Sequence, residues 1–105
     1  MLLVLTTFPD ANVARLLGRQ LVEEKLAACC SILPGVESIF WWQGKLESAN
    51  EVQAILKTDE STVDLLMTRL DALHPYEVPE ILVLRPDRVS PAYAQWVKDS
   101  VRAAE

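Results

Sequence analysis

The feature that most constrains this fold is a pair of strand-like segments joined by Gln43-Gly44. The segment "VESIFWW" (36–42) precedes the dipeptide, and "KLESANEVQAILKT" (45–58) follows it. A two-residue linker in which glycine supplies a positive φ predicts a tight β-hairpin. The return arm would span about 46 Å if unbroken, whereas a compact domain of about 100 residues has a radius of gyration near 13 Å. The hairpin is therefore expected to extend past its own core.

The tip of this hairpin is apolar on both faces. Trp41 and Trp42 must point to opposite faces of a strand, as must Ile39 and Phe40. The helices of a small domain cover only one face of its sheet, so at least one tryptophan needs another cover. A second subunit would supply it; the alternative is that the C-terminal helix folds back over the tip. We favour association.

The segments around the hairpin alternate between strand and helix patterns. Apolar runs with β-branched residues predict strands, and apolar residues spaced by three and four predict helices. The predicted elements are a strand over 2–8, a helix from the cap Asp10 to about Lys25, a strand over 27–33 interrupted by Pro34-Gly35, a helix over 59–73 capped by Asp59, a strand over 81–84 and a terminal helix opened by Ser90-Pro91. The first helix should bury Val13, Leu16, Leu17 and Leu21. This order predicts an α+β class, with one ferredoxin-like βαββαβ domain over 1–105 followed by the terminal helix.

Composition excludes several classes of protein. The net charge of −5 argues against nucleic-acid binding, which needs a basic face. No apolar run approaches the roughly 18 residues of a membrane span, and the N-terminus lacks the basic lead of a signal peptide. Cys29 and Cys30 are adjacent, so we interpret both as free thiols in a reducing cytoplasm. Half of the residues are hydrophobic, so folding should require no metal.

The stretch "HPYEVPE", residues 74–80, is the strongest candidate for a site. It holds His74, the only histidine in the chain, together with Tyr76, Glu77 and Glu80. Its two prolines disfavour helical angles at the residues before them, so the stretch should run extended. One interpretation is a rigid connector in which His74 ends a helix. The other is a preorganised ledge that presents these side chains to a ligand.

Together, "SIFWWQGKLE", "ILKT" and "LHPYEVPEIL" resemble the CutA divalent-cation-tolerance family over nearly the whole chain. The resemblance implies a ferredoxin-like domain that forms a tight homotrimer through long hairpins, similar in architecture to the PII signalling proteins. It further implies a cytoplasmic, non-enzymatic protein that confers tolerance to copper and other divalent metals.

The resemblance also implies candidate metal ligands. Some bacterial members place a cysteine on the first strand and a histidine pair before the Pro-Tyr, and these are taken as copper ligands. Here those positions hold Thr6 and Leu73, and only His74 remains. We therefore name His74 as the candidate ligand for Cu(II) or another divalent cation, although affinity normally comes from several convergent ligands.

A second hypothesis is a PII-like sensor that holds a small anionic metabolite in clefts between subunits. Its candidate cleft residues are Trp42, Lys57, Tyr76, Glu77 and Glu80. An enzyme is disfavoured, because neither cysteine nor any serine has a histidine nearby in sequence and no glycine-rich anion loop follows the first strand.

Overall fold

The computed structural model describes residues 1–102, which form four strands and three helices. Their order in the chain matches the predicted order. The elements are β1 (Leu2–Phe8), α1 (Ala11–Glu23), β2 (Cys29–Trp42), β3 (Lys45–Thr58), α2 (Val63–Leu73), β4 (Leu82–Leu84) and α3 (Pro91–Ser100).

The strands form one antiparallel sheet in the order β2-β3-β1-β4. This order confirms the predicted α+β, ferredoxin-like architecture. Alternate residues of β1 and β3 are buried beneath α1 and α2, and these four elements supply most of the core. The opposite sheet face, which we call the open face, carries the remaining alternate residues, including Leu33, Leu82 and Leu84 at 41–48 % exposure.

Helix α1 begins as predicted but ends earlier. The Asp10 carboxylate accepts a hydrogen bond from the Val13 amide at 2.8 Å, which confirms the predicted cap. The helix ends at Glu23, and Lys25 has a φ of 59° that no α-helix accommodates. Leu16 is 67 % exposed, so its predicted burial is wrong. The helix turns Ala14 and Gly18 toward the core beside Leu17 instead.

Helix α2 begins four residues later than predicted, at Val63. The Asp59 side chain lies one turn before the start of this helix. There its carboxylate accepts hydrogen bonds from the amide and hydroxyl of Ser61. Asp59 therefore stabilises the turn before the helix rather than capping the helix itself.

The long hairpin is confirmed. Gln43 and Gly44 have φ values of 50° and 78°, so both central residues of the turn are left-handed, as a type I′ turn requires. A bulge between Leu33 and Val36 interrupts the pairing of β2 with β3. Beyond it, residues 36–51 form a two-stranded hairpin arm, and the molecule measures 44 Å along its longest axis.

Helix α3 leaves the hairpin arm uncovered. Val97 on α3 is fully buried, and the Arg102 amide donates to the Lys25 carbonyl at 2.9 Å, so the helix is anchored near the end of α1. Trp41 nevertheless remains 72 % exposed and Ile39 67 % exposed. Within one chain, the C-terminal helix does not provide the cover that the tip needs.

The predicted domain, 1–105, includes residues 103–105, which lie outside the described residues. Among residues 1–102, none of the helices combines the length and the apolar character that crossing a bilayer would require.

Candidate functional site

His74 ends helix α2 in the way that the following proline dictates. Its amide still donates to the Leu70 carbonyl at 2.9 Å, but its ψ of 135° is extended. Pro75 disfavours helical angles at the residue before it, which stops the helix at this point. The chain then continues past the end of β1, and the His74 side chain turns back toward that strand.

Both ring nitrogens of His74 are occupied. Nδ1 accepts a hydrogen bond from the Tyr76 amide at 3.2 Å. The hydrogen-bond network therefore assigns the proton to Nε2, which lies 2.9 Å from the Thr7 carbonyl oxygen and 3.0 Å from Thr6 Oγ1. Because a carbonyl can only accept, Nε2–H donates to it and shares the same hydrogen with Thr6.

The surroundings of His74 hold the ring neutral. The residue is only 8 % exposed, and its ring stacks on Phe8 with 4.8 Å between centroids. Burial lowers the pKa of His74, because desolvation penalises the charged imidazolium. Protonation would also place a hydrogen on Nδ1, where it would oppose the Tyr76 amide hydrogen.

The residues around His74 do not fit a metal ion. A ligating imidazole needs a free lone pair, and the only one on this ring already accepts a hydrogen bond from Tyr76. Within residues 1–102, no group of three histidine, cysteine, aspartate or glutamate side chains is placed to hold a metal ion. The geometry favours the connector interpretation, in which His74 locks the end of α2 onto β1.

Cys29 and Cys30 lie on opposite faces of β2, as strand alternation predicts. Cys30 faces the core, and burial raises the pKa of its thiol to about 11. Cys29 pairs with Lys57 across the strands, and the Lys57 ammonium lies 3.5 Å from its sulfur. Both thiols are free, but they cannot chelate one ion together because they point apart.

A cleft lies between the hairpin arm and the stretch that follows His74. Its volume is about 510 Å³. We call it the hairpin cleft, and its walls are Thr7 of β1, Phe40 and Trp42 of β2, Glu47, Ser48, Ala49 and Glu51 of β3, and Tyr76, Glu77, Val78 and Glu80. Four of the predicted cleft residues therefore lie together: Trp42, Tyr76, Glu77 and Glu80.

Lys57 does not join them. It lies six residues beyond Glu51 along β3, about 20 Å away at the usual rise per residue. Its ammonium donates to Ser31 and contacts the Cys29 sulfur instead. Within one chain, Lys57 can contact neither the cleft nor the carboxylates of residues 74–80.

A hydrogen bond ties the two walls of the cleft together. The Tyr76 hydroxyl donates to Glu51 Oε2 at 2.6 Å. Burial raises the pKa of Tyr76, and the hydrogen bond to the Glu51 carboxylate raises it further, so the phenol stays protonated. Because Glu51 pairs with Val36 at the base of the hairpin arm, this contact fixes the arm relative to the connector.

The sequence interpretation missed Phe40, Glu47 and Glu51 as cleft residues. The pairing register of β2 with β3 could have identified the first two of these residues. A two-residue turn at Gln43-Gly44 pairs Phe40 with Glu47, and both lie on the same face as Trp42. The contact between Glu51 and Tyr76 had no such signal, because the two residues are 25 positions apart and on different elements.

Comparisons with known proteins agree on one family. The family model described as CutA1 divalent ion tolerance protein matches residues 2–100. The divalent-cation tolerance protein CutA of Pectobacterium atrosepticum is 42 % identical over 99 residues, which cover 94 % of this chain and 90 % of that protein.

Solved structures show the same fold. CutA from Xylella fastidiosa has a TM-score of 0.92 at 40 % identity, covering 96 % of this chain and 97 % of that one. The PII-like protein CutA from Nostoc sp. PCC 7120, in its apo form, has a TM-score of 0.92 at 33 % identity, covering 98 % and 99 %. With the family model matching 2–100, the chain belongs to the CutA1 divalent ion tolerance family.

Proposed function

We propose that this protein is a non-enzymatic, cytoplasmic homotrimer that contributes to tolerance of divalent cations such as copper. Membership of the CutA1 divalent ion tolerance family supports the tolerance role. The PII-like description of the Nostoc relative supports a PII-like architecture for this chain.

The observation that carries the proposal is the exposed apolar surface of the single chain. Ile39, Trp41 and Leu46 are 62–72 % exposed on one face of the hairpin arm, while Phe40 and Trp42 are each 39 % exposed on the other. Contiguous apolar patches of this kind mark interaction sites rather than solvated surface. Association between copies would bury both faces of the arm.

A non-enzymatic role is consistent with the only histidine of the chain. A general base must be free to take a proton from a reacting group. His74 is buried, and both of its nitrogens are engaged within the fold.

Native mass spectrometry of the purified protein, with and without sub-stoichiometric Cu(II), tests assembly and metal uptake together. We expect a trimer in both samples. A stable monomer would remove the structural basis of the proposal.

Direct copper binding at His74 stays a prediction, and it requires the ring to release a hydrogen bond. Copper bound in stoichiometric amount and lost in His74→Ala would establish a direct role. A trimer that binds no copper would indicate that the protein contributes to tolerance by an indirect mechanism. Circular dichroism of His74→Ala should accompany the experiment, because the variant removes a buried group.

The hairpin cleft favours a second candidate function, a PII-like sensor that responds to a small metabolite. The cleft volume of about 510 Å³ lies within the usual range for ligand sites, about 300 to 1,000 Å³. A thermal-shift screen tests this candidate, and the absence of stabilisation by any metabolite would count against it.

A further inference from the structure

We propose that Cys29 and Lys57 form an oxidative cross-link, in which one oxygen atom bridges the cysteine sulfur and the lysine nitrogen. The cross-link lies within one chain, so it depends neither on the tolerance role nor on the assembly proposed above. Three observations lead to it: the close approach of the two groups, the lack of a competing partner for either, and their place at the base of the hairpin.

The two atoms that would be bridged already lie close together. Cys29 pairs with Lys57 across β2 and β3, and the Lys57 Nζ lies 3.5 Å from the Cys29 Sγ. Separations of about 3 to 3.5 Å are typical of groups that are oriented for reaction. Ser31, on the same face of β2, accepts a hydrogen bond from the same ammonium group, so the lysine side chain is held beside the cysteine.

Lys57 has no carboxylate partner among residues 1–102. The ion pairs found there involve two arginines and no lysine. The other cross-strand neighbour of Lys57 is Leu3 on β1, so the lysine lies between an apolar residue and the cysteine. An ordinary ion pair therefore does not account for this lysine, and its nitrogen can act as a nucleophile once it has lost its proton.

Cys29 has no disulfide partner within the chain. The only other cysteine, Cys30, faces the core on the opposite side of β2, and a disulfide does not join two sulfurs that point apart. Burial raises the pKa of the Cys30 thiol to about 11, so Cys30 keeps its proton and resists oxidation. An oxidised Cys29 sulfur therefore meets the Lys57 nitrogen rather than a second thiol.

The reaction consumes one molecule of dioxygen. The Lys57 ammonium first releases a proton to the solvent, and the O–O bond is broken. One oxygen atom forms bonds with sulfur and nitrogen, while the other leaves as water with the thiol hydrogen and one amine hydrogen. Sulfur and nitrogen each lose two electrons, and the two oxygen atoms gain these four. Because the bridge is neutral, the positive charge of Lys57 is lost.

The bridge would tie β2 to β3 at the end of their ladder that lies opposite the hairpin turn. Cys29 and Lys57 form the first pair of that ladder, whereas the hairpin arm begins at Val36, about 23 Å further along β2. Both groups are half-buried and belong to the same chain, and the oxidant is a small molecule. Association through the arm, as proposed above, therefore does not require this pair to be covered.

Intact-mass spectrometry of the whole protein tests the cross-link. One sample is kept in air-saturated buffer at about pH 9, where a larger fraction of lysine has lost its proton, and a second is kept without oxygen. We expect only the aerobic sample to gain one oxygen and lose two hydrogens, a change of about +14 Da. A proteolytic digest should contain the peptide of Cys29 joined to that of Lys57, and dithiothreitol should separate them by attack on the sulfur.

Matched variants assign the two bridged residues. Cys29→Ser should abolish the cross-link. Lys57→Arg should also abolish it, because a guanidinium keeps its proton and its charge. Cys30→Ala is the control and should form the bridge as the parent protein does, since Cys30 faces the core. Circular dichroism of the three variants shows that a lost cross-link does not reflect a lost fold.

Several results would overturn the inference. Equal masses in the aerobic and oxygen-free samples would reject the cross-link. Oxygen added to Cys29 without linkage to Lys57 would be ordinary thiol oxidation, and a loss of two hydrogens alone would indicate a direct sulfur–nitrogen bond. A cross-link that persists in Cys29→Ser would place the reaction at other residues.

Discussion

At the scale of single residues, His74 links the protonation of one ring to the stability of the fold. The ring joins the end of α2 to β1 through the Thr7 carbonyl and stacks on Phe8. Burial lowers the pKa of this imidazole. The unfolded chain, in which the pKa of histidine is near 6.5, therefore binds a proton that the folded chain resists.

We expect the free energy of unfolding to fall as the pH drops below about 6.5. The stabilisation is fully present above the unfolded pKa and is lost as pH falls toward the lowered folded pKa, with a slope of at most about 1.4 kcal/mol per pH unit for one proton. Urea titrations at fixed protein concentration between pH 7.5 and 5.0, about one to two units either side of that pKa, measure it.

His74→Asn is the matched comparison, because it removes the titrating group but keeps a polar side chain. It should be less stable at pH 7 and should lose the slope between pH 7 and 5. Carboxylates such as Glu24, whose pKa is lowered by its hydrogen bond with Arg69, protonate only at lower pH. An unchanged slope in the variant would show that another group titrates.

The sequence predicted where His74 lies but not what its side chain does. Pro75 was sufficient to predict that the helix ends there, because the restriction on the preceding residue is local. The contacts with Thr6 and Thr7 span 68 and 67 positions, respectively. No local rule reports such contacts, so the sequence left both the connector and the ligand-ledge interpretations of this stretch open.

At the scale of elements, the contact between α1 and β2 depends on the glycine at position 18. A Cβ added at Gly18 would lie 2.9 Å from Cys30 Sγ and 3.4 Å from Cys30 Cβ. The missing side chain therefore allows the helix to approach the strand closely, and the cysteine thiol fills the space.

Gly18→Ala should destabilise the protein by about 1 kcal/mol or more, because overpacking outweighs the gain in helix propensity. Cys30→Ala removes the sulfur and leaves only the 3.4 Å contact with Cβ, so in that background the same substitution should be neutral or stabilising. Urea unfolding of the four proteins gives the coupling energy. Equal effects of Gly18→Ala in both backgrounds would disprove the steric explanation.

Element order was predictable from the sequence, whereas several of the element ends were not. Asp10 and Pro75 mark their boundaries locally and were interpreted correctly. Leu16 was wrongly assigned to the core because it fits the apolar spacing of α1, yet Ala14 and Gly18 provide the smaller surface that close packing on the sheet requires. Spacing alone does not report how near the helix lies to the sheet.

At the scale of the whole molecule, the hairpin arm determines the proposed assembly. One of its faces carries Ile39, Trp41 and Leu46, which no element among residues 1–102 covers. Burying the exposed part of one tryptophan contributes about 4 kcal/mol, and cyclic symmetry repeats the contribution in every subunit.

Trp41→Glu should convert the trimer into monomers or weaken it by several orders of magnitude, while leaving the fold of each chain intact. Light scattering coupled to size-exclusion chromatography measures the mass, and circular dichroism measures the fold. Leu16→Glu is the control, since Leu16 is 67 % exposed but lies on α1. If both variants dissociate equally, or if neither does, the hairpin arm is not the main contact.

The exposed hairpin arm also matters during the interval between the synthesis of a chain and its association with other copies. A newly synthesised chain at about 1 μM, meeting partners with a typical rate constant of about 10⁶ M⁻¹ s⁻¹, remains alone for about one second. During that interval Trp41, at 72 % exposure, is available to any other apolar surface in the cell. In the proposed assembly, the lifetime of an unassembled chain therefore scales inversely with the concentration of other unassembled chains, and translation of one message by several ribosomes would shorten it by supplying partners nearby.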